Sequence, residues 1–370
     1  MYQIFNNGAL LGDNTYSEYV FYNGQLSEKI NTAGTLTFTV LESNPELANV
    51  QLLKSIISLY QDGVEIWRGR VRTSEIDLYN RRTLTCEGAL AFFYDIRDND
   101  IHTTTNAQWS LSGDTPTVAI TNLLTKYNAS CTAGREIQLG NIQPTAKVRY
   151  DFRGEYITIF DALAEIIAQI GGYYKLRFSG GVAYLDLLNV PATASGQEIV
   201  FADNLLDITR FIDGSKIMTQ MYADGPYNLR TTVTNASLVS AFGVIQGYQY
   251  FDGVDSLTNL ETVAQEYFDT HSLNEVTITL SAVDLSLLDT SIEAFCIGQL
   301  VHISSSPHGI NVNILLSEMV TDLNNPTGSR ITLGASFTGV TKYVQNSIKE
   351  GQNSIYRKLE TAYTSGVNAV

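Results

Sequence analysis

Three cysteines in 370 residues, Cys86, Cys131 and Cys296, are too few and too widely spaced for a disulfide framework or a zinc-binding cluster. Each reads as a small buried apolar residue, and folding in a reducing cytoplasm is expected. Charge is also scarce. Asp, Glu, Lys and Arg together make up 16% of the chain, against roughly a quarter in an average globular protein. Such a surface suits a β-rich protein that packs against other subunits. The charge that is present leans acidic, with a net value of −15. Tight binding to duplex phosphate draws mainly on Lys and Arg, so that class of function is excluded. No run approaches the ~18 apolar residues of a membrane-spanning helix. Met1 to Leu11 has neither the basic region nor the apolar core of a signal peptide, so neither classical export nor membrane insertion is expected.

What is present is an ordinary apolar fraction of 44%, enough to bury a real core. A single core stops growing at about 250–300 residues, so two or more domains are expected. The first hundred residues read as strands. Thr35 to Val40 alternates with period two and places Leu36, Phe38 and Val40 on one face. Ile56–Tyr60 and Val64–Val71 flank Asp62-Gly63, a hairpin turn that needs positive φ. Arg70–Leu78 and Thr83–Glu87 flank residues 79–82 as a second hairpin.

The composition changes after Asp98. Asp114-Thr115-Pro116 is a helix start, and Ile120, Leu123, Leu124 and Tyr127 follow at helical spacing. A stronger helix is predicted over about 158–170. Ile159, Leu163, Ile166 and Ile170 form its stripe, and Gly171-Gly172 forms its stop. Tyr173–Phe178 and Val182–Leu188 make a hairpin around Gly180-Gly181. Strand character returns from Phe201, with Lys216–Tyr222 ending at Asp224-Gly225-Pro226. A helix follows from a capping box at Thr258–Glu261 to about His271, with Leu260, Val263, Ala264 and Tyr267 inward. Val276–Ala282, Gly298–Ser304, Val312–Thr321 and Ser329–Leu333 complete a second set of strands.

The expected fold is therefore mainly β with an α+β segment. Two antiparallel β-barrel-like domains, 1–98 and 201–340, flank an α+β domain at 99–200, with a helical insertion at about 254–284. In residues 341–370, Val344, Ile348, Ile355, Leu359 and Ala362 recur at heptad spacing around Gly351. That stripe fits a helix docked on its own domain, or one bundling with symmetry mates through Val344, Ile348, Ile355 and Leu359.

No catalytic, cofactor or metal residues are singled out. His102, His271, His302 and His308 form no two-histidine metal spacing. Cys86 and Cys296 sit away from helix starts, where a thiolate is favoured, and no GxSxG elbow is found. Asp95, Asp98 and Asp100 lack the glycine turn and distal Glu of a calcium loop and read as a solvated loop. The 21 tyrosines, among them Tyr222, Tyr227, Tyr248 and Tyr250, suit interfaces or half-buried strands, with sugar stacking as the alternative.

Several segments, in their order, carry a resemblance: Gly34-Thr-Leu-Thr-Phe38 and Val64 to Val71; Ile157 to Ile170 running into Gly171 to Leu176; Asp213 to Thr219 with Asp224-Gly225; Phe295 to Val301; Glu318 to Pro326; and Ile331 to Gly334. Over roughly residues 1–340 the chain resembles the tail-tip hub of phages of Gram-positive bacteria. That family includes prophage tail endopeptidases and tail-associated lysins and is similar to the baseplate hub of contractile phages. The resemblance implies a homotrimer whose six barrels form a ring that closes the tail tube and surrounds the DNA exit channel; the family name would allow an enzyme, but the residues give no catalytic set, and no enzymatic role is expected. Implied partners are a distal-tail or tail-tube protein, the tape-measure protein and a fibre or receptor-binding protein. DNA would pass without specific binding, and the site would be the virion tail tip, assembled in the bacterial cytoplasm. Some members carry peptidoglycan-cutting or receptor-binding extensions; the chain stops at Val370, so none is expected here. A wall-cutting hydrolase and a receptor- or glycan-binding module are the alternative readings.

Overall fold

A computed structural model of the chain describes residues 1–103, 114–145, 147–148, 150–170, 172–189, 191, 193–194, 196–213, 217–251, 256–271, 275–287, 291–325 and 328–333. Val344, Ile348, Ile355 and Leu359 lie outside them.

Seven strands open the chain: β1 (Tyr2–Asn6), β2 (Ala9–Asp13), β3 (Phe21–Lys29), β4 (Thr35–Leu41), β5 (Ile56–Gln61), β6 (Val64–Ile76) and β7 (Arg81–Gly88). Leu36, Phe38 and Val40 of β4 are fully buried, as the period-two pattern requires. The β5–β6 hairpin turns at Asp62 and Gly63 with φ of 50° and 82°, the left-handed pair that a tight hairpin uses. The second hairpin joins β6 to β7 across residues 77–80, two residues earlier than the sequence suggested, because Arg81 and Arg82 pair with Leu41 and Val40 of β4.

The next segment builds a helical layer on a small sheet. Its elements are β8 (Arg97–Asp98), α1 (Pro116–Ser130), β9 (Ile137–Ile142), β10 (Ile157–Thr158), α2 (Ile159–Ile170), β11 (Tyr173–Ser179) and β12 (Val182–Leu188). Thr115 caps α1 by accepting from the Val118 amide. The predicted stripes of α1 and α2 pack on Ile137, Tyr174, Ala183, Leu185 and Leu187, and on Phe92 and Phe93 of the short helical turn Ala89–Tyr94. β9, which no pattern announced, runs parallel to β12.

β13 (Ile199–Val200) and β14 (Leu205–Asp213) follow, and residues Thr209–Ile278, beginning within β14, form a compact unit of their own. It holds β15 (Gln220–Asp224), β16 (Arg230–Thr234), α3 (Ala236–Phe242), β17 (Gln246–Tyr250) and α4 (Leu257–His271). β15 is central, antiparallel to β16 and parallel to β17. Met221, Ala223 and Val233 pack on Leu260, Ala264 and Phe268 of α4. α4 starts at Leu257, with the Ser256 carbonyl accepting from Leu260. Thr258 therefore lies inside the first turn and is not the cap.

The chain leaves this unit along β18 (Glu275–Ala282) and ends its described part with β19 (Leu300–Ser305), β20 (Ile310–Asp322) and β21 (Arg330–Leu333). The first half of β20 pairs with β19 and the second half with β21 and β3. Strands from both ends of the sequence thus join one 13-stranded sheet, in the order β14-β18-β21-β20-β3-β4-β7-β6-β5-β1-β2, with β19 also paired to β20 and β13 paired to β19. The fold is mainly β with an α+β segment, as expected. The two strand-rich regions share an open sheet, and no closed barrel forms among the described residues.

Candidate functional site

The joint between the large sheet and the helical layer holds a connected polar network. Arg70 stands in the middle of β6, where its neighbours along the strand are buried. Its Nε donates to Glu87 Oε1 at 2.7 Å and its Nη2 to Asp95 Oδ1 at 2.9 Å, with Nη1 also on Asp95. Arg72 reaches Glu87 Oε2 at 2.7 Å, and Arg135 approaches Asp95 at 3.6 Å. The guanidinium groups of Arg70 and Arg135 lie 5.4 and 4.9 Å from the centre of the Phe92 ring. Burial works against the charge on Arg70, but hydrogen bonds to Asp95 and Glu87 outweigh it and hold the guanidinium above its ordinary pKa. The network ties β6 and β7 to the Ala89–Tyr94 turn and to the loop after α1, so it fixes one layer against the other.

Beside it, Trp67 is buried under three glycines. A Cβ on Gly69 would overlap the Glu87 carbonyl oxygen and the indole. One on Gly88 would overlap the Ala33 carbonyl oxygen. The Trp67-Arg-Gly69 segment is therefore a place of close backbone approach, the structural role its sequence suggested.

A third tie spans 300 residues of sequence. Asn324 Oδ1 accepts from the Gly24 amide at 2.6 Å, and its Nδ2 donates to the Phe21 carbonyl at 3.1 Å. It clamps the bulge in β3 between Tyr22 and Gln25. Asn324→Ala is expected to cost about 1–2 kcal/mol in urea unfolding, because a side chain that bonds two backbone groups is lost. A change under 0.3 kcal/mol would contradict the clamp.

Glu28 on β3 is a half-buried carboxyl. Burial pushes it up to about 7, against the pull of Lys175. Between the ordinary glutamate value and pH 7 the folded chain holds a proton that the unfolded chain has lost, so stability falls as pH rises through that window. Glu28→Gln is expected to raise stability by about 1–3 kcal/mol at pH 8 and to change little at pH 4. Denaturant titrations at the two pH values check this, and an equal effect at both would contradict it.

Burial pushes the thiols of Cys86, Cys131 and Cys296 upward, away from a reactive thiolate. Asp98 and Asp100 face Lys126 at 3.6 and 3.3 Å, and Asp95 belongs to the Arg70 network, so the acidic cluster is balanced by cations. His302 Nδ1 is 2.7 Å from Asn313 Oδ1 across the β19–β20 pair. His308 Nδ1 is 2.6 Å from Ser305 Oγ, a pairing with the look of a nucleophile and base. Ser305 is fully buried at the end of β19, out of reach of an acyl group, and the bond closes the turn Ser306–His308. Gly298 has φ +86°, a hydrogen bond to Leu316, and the Tyr173 ring where a Cβ would stand; it turns the chain into β19 as the sequence indicated. Among the described residues, no group of three or more His, Cys, Asp or Glu side chains is placed to hold a metal ion. Sequence reading missed the Arg70 network, whose only trace is an arginine at an inward strand position.

No protein-family model and no curated protein matches the sequence. Solved structures do match in fold. The tail protein from Neisseria meningitidis superposes with a TM-score of 0.64 at 12% identity, over 91% of this chain and 98% of that one. The 43 kDa tail protein of prophage MuSo2 from Shewanella oneidensis gives 0.62 at 12% identity, again over 91% and 98%. Prophage tail protein gp18 from Listeria monocytogenes gives 0.56 at 12% identity over 95% and 99%. A match across nearly the whole length of both chains gives this protein the fold of these tail proteins.

Proposed function

We propose that the chain is a structural hub of a phage or prophage tail tip, with no catalytic role. Three copies form a ring that closes the tail tube and surrounds the DNA exit channel. The observation that carries the reading is the match in fold to tail proteins over at least nine-tenths of the chain and nearly all of each neighbour. Low identity leaves that match a statement about fold, and the side chains add to it. The Arg70 network braces two layers against each other, and Ser305, which pairs with the exposed His308, is itself buried. The net charge of −15 suits a channel that phosphate must pass without adsorbing. In this reading one face of the ring meets the distal-tail or tail-tube protein, the tape-measure protein ends at the lumen, and a fibre or receptor-binding protein attaches outside. The ring is assembled in the bacterial cytoplasm and ends in the virion.

A peptidoglycan zymogram tests the non-catalytic half of the proposal. The purified chain is expected to leave the gel uncleared, and clearing would make it a wall hydrolase. Sedimentation across a concentration series tests the other half, with three times the monomer mass expected at the upper end.

A further inference from the structure

We propose that the open face of the three-stranded sheet in residues 209–278 binds an uncharged glycan. The inference is independent of the tail-tip reading. The sheet has one buried side and one open side, and strand alternation assigns each residue to one or the other. Met221, Ala223 and Val233 point to α4. The opposite parity puts nine side chains on the open side in three cross-strand rows. These rows are Thr234–Gln220–Gln246, Thr232–Tyr222–Tyr248 and Arg230–Asp224–Tyr250. Tyr222, Tyr248 and Tyr250 are exposed by 43%, 64% and 48%, high values for aromatics on regular strands. Tyr227, 91% exposed, sits in the turn that joins β15 to β16 beside the third row.

The chemistry of the nine residues selects the ligand. Three tyrosines offer flat amphipathic rings at low entropic cost. Tyr222 and Tyr248 are direct partners on adjacent strands, ~4.8 Å apart at the backbone, and so form a double platform. Around them lie amides and hydroxyls. Gln246 Nε2 donates to Gln220 Oε1 at 2.8 Å and to the Tyr222 hydroxyl at 2.9 Å, and Gln220 Nε2 donates to Thr234 Oγ1 at 3.1 Å. These bonds hold the donors and acceptors level with the rings. No aliphatic side chain stands among the nine, so the face lacks the core of an ordinary protein–protein contact. Its only charges, Asp224 and Arg230, cancel at 3.7 Å on a chain of net charge −15. A neutral face matches a neutral ligand. With one arginine already facing a carboxylate, it has no means to neutralise phosphates, which argues against a nucleic acid stacked on the same rings. An uncharged pyranose chain has apolar C–H faces for the tyrosines and hydroxyls for Gln220, Gln246, Thr232 and Thr234.

The test uses the full chain on a printed array of neutral and acidic oligosaccharides. The natural chain is expected to bind neutral oligosaccharides. Tyr222→Ala/Tyr248→Ala is expected to lose about tenfold or more, while Tyr222→Phe/Tyr248→Phe stays within about threefold because the ring faces remain. Both pairs lie on the exposed side, and unchanged circular dichroism and melting would show the fold intact. Absence of neutral-glycan binding by the natural chain, or an alanine pair that binds as well as it does, overturns the proposal. So does an alanine pair whose main effect is a changed mass in sedimentation, which would make the face a contact between copies.

Discussion

Arg70→Met is expected to lower the unfolding free energy by about 3–5 kcal/mol, because it strands the buried Glu87 carboxylate without its main cation. The side chains of Arg70 and Glu87 are only 8% and 10% exposed, so neither is held by water. Arg72 also reaches Glu87, but it is 66% exposed and its attraction is weakened by solvent. Asp95 is 39% exposed and keeps Arg135 nearby, so most of the cost falls on Glu87. The double variant Arg70→Met/Glu87→Leu should recover much of the loss, since an apolar pair of similar volume often matches a buried ion pair. Urea unfolding of the three proteins, read by tryptophan fluorescence, measures both effects. A single variant within 1 kcal/mol of the natural chain would remove the network from any bracing role.

Gly88→Ala is the second large effect, at least about 3 kcal/mol, and the reason is backbone against backbone. Gly88 pairs with Gly69 in the β6–β7 ladder and donates its amide to the Gly34 carbonyl at 3.1 Å. An added Cβ would occupy the space of the Ala33 carbonyl oxygen and press on the Trp67 indole. A carbonyl held in place cannot swing aside as a flexible side chain does, so the strand itself must move. Gly63→Ala is the control. Its φ of 82° strains an alanine, but a Cβ there meets nothing within 4 Å, and a cost of about 1 kcal/mol is expected. Thermal melts and soluble yield compare the two. If Gly88→Ala melted with the natural chain and Gly63→Ala did not, close approach around Trp67 would be the wrong explanation.

Local structure was legible wherever periodicity or turn chemistry was strong. The β4 alternation, the Asp62-Gly63 hairpin, the α2 stripe and the Gly180-Gly181 turn all carry their cause within about a dozen residues. The pairing of β20 with β3 was not legible. Glu318↔Lys29 and Asp322↔Gln25 join residues nearly 300 positions apart, and nothing in either strand names its partner. For the same reason two strand-rich regions were visible, but not that one sheet runs through both. The start of α4 was misplaced because Thr258 and Glu261 satisfy the capping pattern, while the Ser256 carbonyl already begins the helix. The Arg70 network was invisible because its acids sit 17 and 25 positions away, a distance set by a hairpin and a turn. The tyrosines of the inserted unit stood out by type, yet only the register of β15, β16 and β17 shows Tyr222, Tyr248 and Tyr250 on one face.

Electron-microscope class averages of the purified chain, alone and mixed with a phage tail-tube protein, test the proposed ring directly. A three-fold annulus with a central hole wide enough for B-form duplex is the predicted image. Monomers that stay single in both samples, or an assembly with its centre filled by protein, would contradict the hub.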